Sequence, residues 1–176
     1  MTANAGLAAM DDSELMVRPA LPADAEQIAG IYNHYVKTSI ITFEEAEVAA
    51  PEMANRMFEI QSTPLPCLAA VKGSRIVGYA YAGRWRVRTA YRFSTEATVY
   101  VHPGLERTGV GSQLYGQLLP ALKSRGVHAV MGGIALPNDA SVRLHEKFGF
   151  KKVAHFKEVG FKFNHWIDVA YWQLIL

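Results

Sequence analysis

The sequence predicts an α/β or α+β domain in which helices flank a mixed central β-sheet. Its 176 residues, half of them hydrophobic and 19% charged, suit one compact domain with a sizeable core. Segments with the period of a strand are interspersed along the chain with segments that have the period of a helix. Three strand-like segments in the middle follow one another closely, as antiparallel neighbours do, whereas helices separate the later strands.

The N-terminal half begins with a segment that has no period. Residues 1–14, "MTANAGLAAMDDSE", are small or polar, so we expect a flexible tail followed by a single domain over residues 15–176. "LMVRPA" is typical of a first strand. "PADAEQIAGIYNHYVKT" has proline at a helix start and an apolar stripe at helical spacing from Ile28 to Tyr35, and "PEMANRMFEIQS" indicates a second helix.

The middle of the chain contains three strand-like segments, "CLAAV", "RIVGYAYAGRWR" and "STEATVYV", which we expect to pair antiparallel. A long helix then runs from Gly109 to about Arg125, and "HAVMGGIAL" is typical of a buried strand. A further helix runs from Asn138 to about Phe148, where Gly149 ends it. Two strands close the chain, the last of them "IDVAYWQLIL".

Composition and charge argue against several classes of function. The net charge is only +2 and the basic residues are scattered, so nucleic-acid binding is not expected. No apolar run approaches the roughly 20 residues that span a bilayer, and no signal peptide is recognisable, so we expect a cytoplasmic protein without a membrane partner. Cys67, the single cysteine, lies in an apolar run and is expected to be buried and unreactive. The histidines lack metal-ligand spacing, so no metal is expected.

The stretch "VYVHPGLERTGVGSQLY" passes from a strand through glycines into a helix. The first turn of a helix presents unpaired backbone N–H groups and the positive end of its dipole, so this order suits an anion. The late position of the glycines disfavours a doubly wound dinucleotide fold, and "ERTGVGSQ" lacks the Lys and Ser or Thr of a Walker loop. Taken alone, the loop fits a phosphate cradle and a tight strand-to-helix turn equally well.

The segment "STEATVYVHPGLERTGVGSQLYGQLL" resembles the acetyl-CoA motif of the Gcn5-related N-acetyltransferases (GNAT). In that family, a loop of pattern Arg or Gln, any two residues, Gly, any residue, Gly or Ala holds the pyrophosphate on backbone N–H groups. Here Glu106 stands at the first position and the arginine is displaced to Arg107, so the resemblance implies the backbone cradle and no side-chain contribution from position 106. "NDASVRLHEKFGF" is similar to the second signature of the family, a helix that begins with Asn and ends in Gly-Phe.

The resemblance extends from about residue 17 to residue 174 and is to the phosphinothricin and methionine sulfoximine acetyltransferase branch. It is carried by "NHYV", "TSIITF", "YAYAGRWRVRTAYRFSTEATVYV", "LPNDASVRLHEKFGF" and "GFKFNHWIDVAYWQL". It implies the GNAT acyl-CoA N-acyltransferase fold, acetyl-CoA as co-substrate, and direct acetyl transfer to the α-amino group of a small amino acid analogue such as L-methionine sulfoximine or phosphinothricin. It also implies a homodimer, which agrees with an apolar terminal strand, "WIDVAYWQLIL", that needs cover at a sheet edge.

The same resemblance assigns the residues that bind acetyl-CoA. They lie on the strand end, in the glycine loop and at the start of the second signature: Val99, Tyr100, Val101, Arg107, Thr108, Gly109, Val110, Gly111, Ser112 and Asn138.

Acetyl transfer requires a neutral amine, a polarised thioester carbonyl and a proton for the leaving thiolate. Glu96, on an apolar strand, is either a general base, directly or through water, or the charge partner of an arginine, and the resemblance favours the base. His145 stands where many related enzymes have a tyrosine that protonates the thiolate, and it is either that acid or a structural histidine. Asn138, two turns earlier on the same helix face, also suits an N-cap.

The segment "GRWRVRTAYRF" interleaves four arginines with aromatic residues just before Glu96. Arginine binds a carboxylate or phosphinate through two parallel N–H bonds, although composition alone favours an exposed hairpin. The resemblance assigns the anionic acceptor to Arg86, Arg88 and Tyr91, with Phe43 as a lid.

Two alternatives remain open: an acetyltransferase for another amine, protein or aminoglycoside, and a non-catalytic acetyl-CoA-binding module. The arginines before Glu96 argue against an aminoglycoside, which is itself cationic. The presence of both Glu96 and His145 argues against the module.

Overall fold

The computed structural model describes residues 14–176, so the predicted tail lies outside the described residues except for Glu14. The strands are β1 (Met16–Pro19), β2 (Cys67–Lys72), β3 (Arg75–Arg84), β4 (Ser94–Val101), β5 (Ala129–Leu136), β6 (Lys151–Lys162) and β7 (His165–Ile175). The helices are α1 (Ala25–Thr38), α2 (Ala50–Gln61), α3 (Val110–Ser124) and α4 (Asp139–Lys147). This order confirms the predicted α/β class.

The strands form one seven-stranded mixed sheet in the order β1-β2-β3-β4-β5-β7-β6. As predicted, β2, β3 and β4 pair antiparallel, and the one parallel pair in this sheet joins β4 to β5. The expectation that the apolar terminal strand lies at an uncovered edge is wrong. β7 lies between β5 and β6, and the more polar β6 forms the edge.

Helices cover both faces of the sheet. The predicted stripe of α1, which includes Ile28 and Tyr35, is buried against one face together with α2, whereas α3 packs against the other. Cys67 is buried as predicted, and burial raises the pKa of its thiol to about 11. The core therefore comprises two layers, one on each side of the sheet.

Some boundaries differ from those predicted. α1 begins at Ala25, because Asp24 accepts hydrogen bonds from Arg18 and from the backbone N–H of Leu21 and so stabilises a short 3-10 turn ahead of the helix. β3 ends at Arg84, and the residues that follow it form a loop with a second 3-10 turn over Thr89–Tyr91.

Within residues 14–176, no helix is long and apolar enough to cross a membrane. The same residues include no group of three or more His, Cys, Asp or Glu side chains arranged to hold a metal ion.

Candidate active site

Strands β4 and β5 separate part of the way along their length. They pair from Ser94 with Ala129 to Glu96 with Met131 and no further. Beyond that point β4 continues to pair with β3, and β5 with β7. Since each strand keeps a different partner, a wedge opens between residues 97–101 and residues 132–136, and a bound molecule can there occupy the place of a strand partner.

A cleft of about 370 Å³ extends from this wedge to the start of α3 and to α4. Eight of the predicted cofactor-binding residues line it: Val99, Tyr100, Val101, Arg107, Gly109, Gly111, Ser112 and Asn138. Two do not. The side chain of Val110 is 4% exposed and packs in the core, and the Thr108 hydroxyl donates to the carbonyl oxygen of Leu105 at 2.7 Å.

The glycine loop presents the start of α3 to the cleft. Gly109 caps the helix with a φ of +95°, and Arg107 has a φ of +66°, both in the left-handed region. The next three residues form the first turn, whose backbone N–H groups have no acceptor within the helix. Because Gly111 and Ser112 line the cleft, the loop suits a phosphate cradle better than a merely tight turn.

The Glu106 carboxylate has a structural partner of its own. Its Oε2 accepts a hydrogen bond at 2.9 Å from the backbone N–H of Gly104, which closes the loop. A neutral amide can accept the same bond, so the charge at position 106 is not needed for the loop conformation.

Two cations that were missed in the sequence also face the cleft. Arg143 and Lys147 lie one turn apart on α4 and both line it, and the Lys147 ammonium donates to the Ser112 hydroxyl at 2.9 Å. With Arg107 they supply three positive charges near the helix start. The spacing of four between two basic residues was a usable signal, because it places them on one helix face.

Glu96 is the last residue of β4 to pair with β5, so its carboxylate lies at the apex of the wedge. A Cβ atom at Gly133 would lie 2.9 Å from Glu96 Oε1 and 3.0 Å from Tyr171 Cε1, so the absent side chain leaves room for both groups. Burial raises the pKa of Glu96 above its ordinary value, and the nearby Arg86 guanidinium acts in the opposite direction.

An aromatic pair lies on one side of this carboxylate, with Tyr171 next to it and Trp85 packed on Tyr171. Trp85 and Tyr171 pack edge to face with ring centroids 5.2 Å apart, and Arg86 Cζ lies 4.3 Å from the centroid of Trp85. Neither aromatic residue was predicted for the site. Tyr171 arrives from the far end of the chain through the pairing of β7 with β5, which no local pattern indicates.

The remaining predicted substrate residues are dispersed. Arg86 and Arg88 line a second cavity, whereas the exposed Tyr91 lines neither that cavity nor the cleft. Phe43 packs on Gly160 of β6, where any Cβ atom would overlap its ring. Of these predicted residues, the structure places Arg86 near Glu96.

Lys162 holds the loop that carries Phe43. Its buried ammonium donates to the carbonyl oxygens of Ser39 at 2.9 Å and Thr42 at 2.8 Å. Ile41, between these two anchors, lines the cleft. Lys162 thereby positions one wall of the cleft, although it lies on the edge strand.

His145 does not line the cleft. Its side chain is 3% exposed, Nδ1 lies 2.8 Å from the carbonyl oxygen of Ser141, and Nε2 lies 2.9 Å from the hydroxyl of Tyr115. A carbonyl oxygen only accepts, so Nδ1 carries the proton and Nε2 accepts from Tyr115. Burial lowers the pKa of His145, which keeps the ring neutral. With both nitrogens bonded, the geometry favours the structural alternative over the acid.

Asn138 combines the two roles considered for it. Its Oδ1 accepts from the backbone N–H of Ser141 at 3.1 Å, which caps α4, and the residue also lines the cleft. Asn138 and His145 therefore differ in orientation, the first toward the cleft and the second into the core.

Comparisons with known proteins agree with this geometry. Residues 17–171 match the family model of the acetyltransferase (GNAT) domain. The chain is 40% identical over 167 residues to a phosphinothricin N-acetyltransferase of Streptomyces coelicolor, covering 92% of this chain and 96% of that protein. It is 33% identical over 165 residues to an L-methionine sulfoximine/L-methionine sulfone acetyltransferase of Salmonella typhimurium, covering 92% and 95%.

A solved structure shows the same fold with a ligand. The crystal structure of a phosphinothricin acetyltransferase from Sinorhizobium meliloti in complex with acetyl-CoA superposes with a TM-score of 0.89 at 32% identity. The match covers 92% of this chain and 88% of that one.

Gly111→Val is expected to weaken CoA binding by about 100-fold or more, which corresponds to roughly 3 kcal/mol. A Cβ atom at Gly111 would already lie 3.2 Å from Leu144 Cδ2, so the branched side chain has to occupy space in the cradle. Glu106→Gln is the matched control and should change the affinity less than about threefold. Titration calorimetry with CoA measures both. Equal weakening by the two substitutions would show that the cradle does not depend on the backbone.

Proposed function

This chain belongs to the GNAT acetyltransferase family, and we propose that its acceptor is the α-amino group of a small amino acid analogue such as L-methionine sulfoximine or phosphinothricin. It is an acetyl-CoA-dependent N-acetyltransferase, as the family and the similar acetyl-CoA complex indicate. The observation that carries the acceptor proposal is the Glu96 carboxylate at the apex of the wedge, beside the Arg86 guanidinium. A cation near a general base suits an amine that also carries an anionic group. The predicted cytoplasmic location stays a prediction.

The cleft fits acetyl-CoA on evidence from its own residues. Gly111 leaves a space that any side chain would narrow, the first turn of α3 supplies backbone donors for a diphosphate, and Arg107, Arg143 and Lys147 supply positive charge. The open side of β4 supplies backbone groups for the amide-containing arm at Val99, whereas the carbonyl oxygen of Val101 already accepts from the Tyr35 hydroxyl at 2.6 Å. When bound, acetyl-CoA supplies the acetyl group as a thioester.

In the proposed reaction, Glu96 accepts the proton of the acceptor ammonium, directly or through one water, so that the nitrogen lone pair becomes free to attack. Arg86 favours the ionised form of Glu96 and is placed to hold the anionic end of the acceptor. Tyr171, which packs edge to face on Trp85, lies beside this carboxylate. No acid is assigned to the departing thiolate, because both nitrogens of His145 are already bonded.

The acceptor proposal is tested by release of free CoA thiol from acetyl-CoA with a panel of amines. L-Methionine sulfoximine and phosphinothricin should give a kcat/KM at least about 100-fold higher than a peptide with a free N-terminus or kanamycin. The reason is that an acceptor that cannot place an anionic group on Arg86 leaves a polar group of the site unpaired. A preference for the peptide or kanamycin would overturn the acceptor class. Normal CoA binding without turnover on any amine would instead indicate a binding module.

We also propose a homodimer, with β6, the turn after it and the start of β7 as the contact surface. The exposed apolar side chains there are Val153, Phe156, Val159, Phe161, Phe163 and Trp166. Trp166 is 65% exposed and packs on Phe161 with centroids 4.9 Å apart, and such an edge tends to pair. Sedimentation equilibrium at micromolar concentration should give twice the 19.4 kDa mass of the chain.

Trp166→Glu should shift the dimer to monomer, whereas Phe58→Glu, at an exposed position on α2, should not. A mass of 19.4 kDa for the unaltered protein at micromolar concentration would contradict the proposal.

A further inference from the structure

Tyr171 of β7 lies on the same face of the sheet as the Glu96 carboxylate. Glu96 pairs with Met131 of β5, and Tyr171 pairs with Gly133 of the same strand. Residues that pair across neighbouring strands share a face, and so do residues two positions apart on one strand. The side chains of Glu96 and Tyr171 therefore project to the same side of the sheet.

The two side chains also approach each other closely. A Cβ atom at Gly133 would lie 2.9 Å from Glu96 Oε1 and 3.3 Å from Tyr171 Cζ, the ring carbon that carries the hydroxyl. Both groups border the space that the glycine leaves, so the phenol is a neighbour of the proposed base.

The ring of Tyr171 is held by other aromatic rings. It packs edge to face with Trp85, with centroids 5.2 Å apart, and with Phe156 of β6, with centroids 6.0 Å apart. Such contacts involve the ring faces and edges and do not require the hydroxyl. The position of the phenol is therefore set by packing, and its hydroxyl remains available.

Three polar groups in this place have no strong partner within the part of the chain that the structure describes. The hydrogen bonds of tyrosine hydroxyls among residues 14–176 belong to three other tyrosines and leave out Tyr171. The six ion pairs in the same residues leave out both Glu96 and Arg86. Arg86 donates to the neighbouring carbonyl oxygen of Trp85 at 3.4 Å. A carboxylate, a cation and a neutral hydroxyl are thus left for a ligand.

An α-amino acid carries groups that complement all three. Its ammonium and its carboxylate are attached to the same carbon, so a carboxylate lies beside the base whenever the ammonium does. Two carboxylates repel each other, and the acceptor's carboxylate therefore needs a donor close to Glu96. Burial raises the pKa of the Tyr171 hydroxyl, Glu96 acts in the same direction and Arg86 in the opposite one, so the phenol keeps its proton and can donate.

We propose that the Tyr171 hydroxyl is a further acceptor-binding group, which donates a hydrogen bond to the α-carboxylate of the acceptor while Glu96 receives the ammonium proton. The inference rests on the proposed function. A carboxylate has two oxygens and accepts from Tyr171 and Arg86 together. Contacts of this kind fix the direction in which the nitrogen points, so Tyr171 positions the acceptor for attack.

The test is the steady-state kinetics of Tyr171→Phe, followed by release of free CoA thiol well below the melting temperature of each variant. Phenylalanine keeps both aromatic contacts and removes the hydroxyl. The KM for methionine sulfoximine should rise about tenfold or more, because a hydrogen bond to a charged group is lost. The acidic limb of the kcat/KM profile should stay at the same pH, since the hydroxyl is assigned to the acceptor and not to Glu96.

Tyr115→Phe is the matched control. It removes a hydroxyl in the core that lies 2.9 Å from His145 Nε2, so it should lower the melting temperature and leave the KM unchanged. A KM raised as much by this substitution as by Tyr171→Phe would overturn the inference.

The outcomes separate this role from its alternatives. A raised KM with an unchanged acidic limb supports it. A shift of the acidic limb to higher pH would mean that the hydroxyl stabilises the ionised form of Glu96 instead, and it overturns the inference, as does an unchanged KM. If the unaltered enzyme prefers another amine, the acceptor proposal fails. The ratio of KM values is then measured with that amine, where a tenfold ratio retains the role of Tyr171 and an unchanged one removes it.

Discussion

Replacing Glu96 with glutamine is expected to lower kcat by about 10²- to 10⁴-fold while leaving the affinity for acetyl-CoA unchanged. The amide keeps the size of the side chain in the space beside Gly133 but cannot accept the ammonium proton. The Glu96 side chain lies at the apex of the wedge rather than along the cleft, so binding of the co-substrate should not depend on its charge. Thiol release at saturating substrate measures kcat, and titration calorimetry measures the affinity.

The pH dependence should identify the same group. Burial raises the pKa of Glu96, and only the ionised carboxylate can accept a proton, so kcat/KM should fall as the pH drops through that raised value. Arg86→Gln removes the cation that favours the ionised form. The pKa should then rise further, and the acidic limb of the profile should move to higher pH.

The matched control is Glu59→Gln, at an exposed position on α2, which should leave both kcat and the profile unchanged. A Glu96→Gln enzyme that melts normally and turns over methionine sulfoximine at nearly the original rate at pH 7 would end the assignment of the base. Loss of thermal stability without loss of turnover would indicate that Glu96 is instead a structural partner of Arg86.

The glycine loop was predictable from the sequence, whereas the glycines of β5 were not. Gly109 and Gly111 belong to a local motif in which backbone N–H groups bind the ligand. Such a motif can be recognised from a few consecutive residues. Gly132 and Gly133 are needed for a different reason, because side chains from distant parts of the chain occupy the space next to them. Within "HAVMGGIAL" they only weaken a strand pattern.

The position of β7 was unpredictable for a related reason. An apolar strand at the end of a chain suits both a sheet interior and a buried edge, and strand order depends on long-range pairing that no local pattern contains. The basic segment before β4 illustrates the same limit. Its arginines were visible in the sequence, but which of them lies near Glu96 depends on the course of the loop after β3, and no local pattern contains that course.

Gly132→Ala and His145→Ala should each destabilise the protein by about 3 kcal/mol, and together they should cost about 2 kcal/mol less than the sum. A Cβ atom at Gly132 would overlap the imidazole of His145, and the ring cannot move aside because Tyr115 and Ser141 hold its two nitrogens. Removing the ring leaves the Tyr115 hydroxyl unpaired in the core, but it also makes the space that the new methyl group needs. Urea unfolding of the two single variants and the double variant measures the coupling.

The buried, neutral His145 ring should also make stability depend on pH. Its pKa in the folded protein lies below the ordinary value, so the unfolded chain binds the proton first, and the free energy of unfolding should decrease as the pH falls below about 6.5. His145→Ala should reduce this dependence.

The same variants decide what His145 contributes to catalysis. Since the ring lies in the core and not in the cleft, kcat of His145→Ala, measured where the protein is folded, should remain within about tenfold of the original. Additive unfolding energies together with a kcat loss of about 100-fold or more would instead require that His145 reaches the thiolate, because a purely structural ring couples to Gly132 and leaves turnover nearly intact.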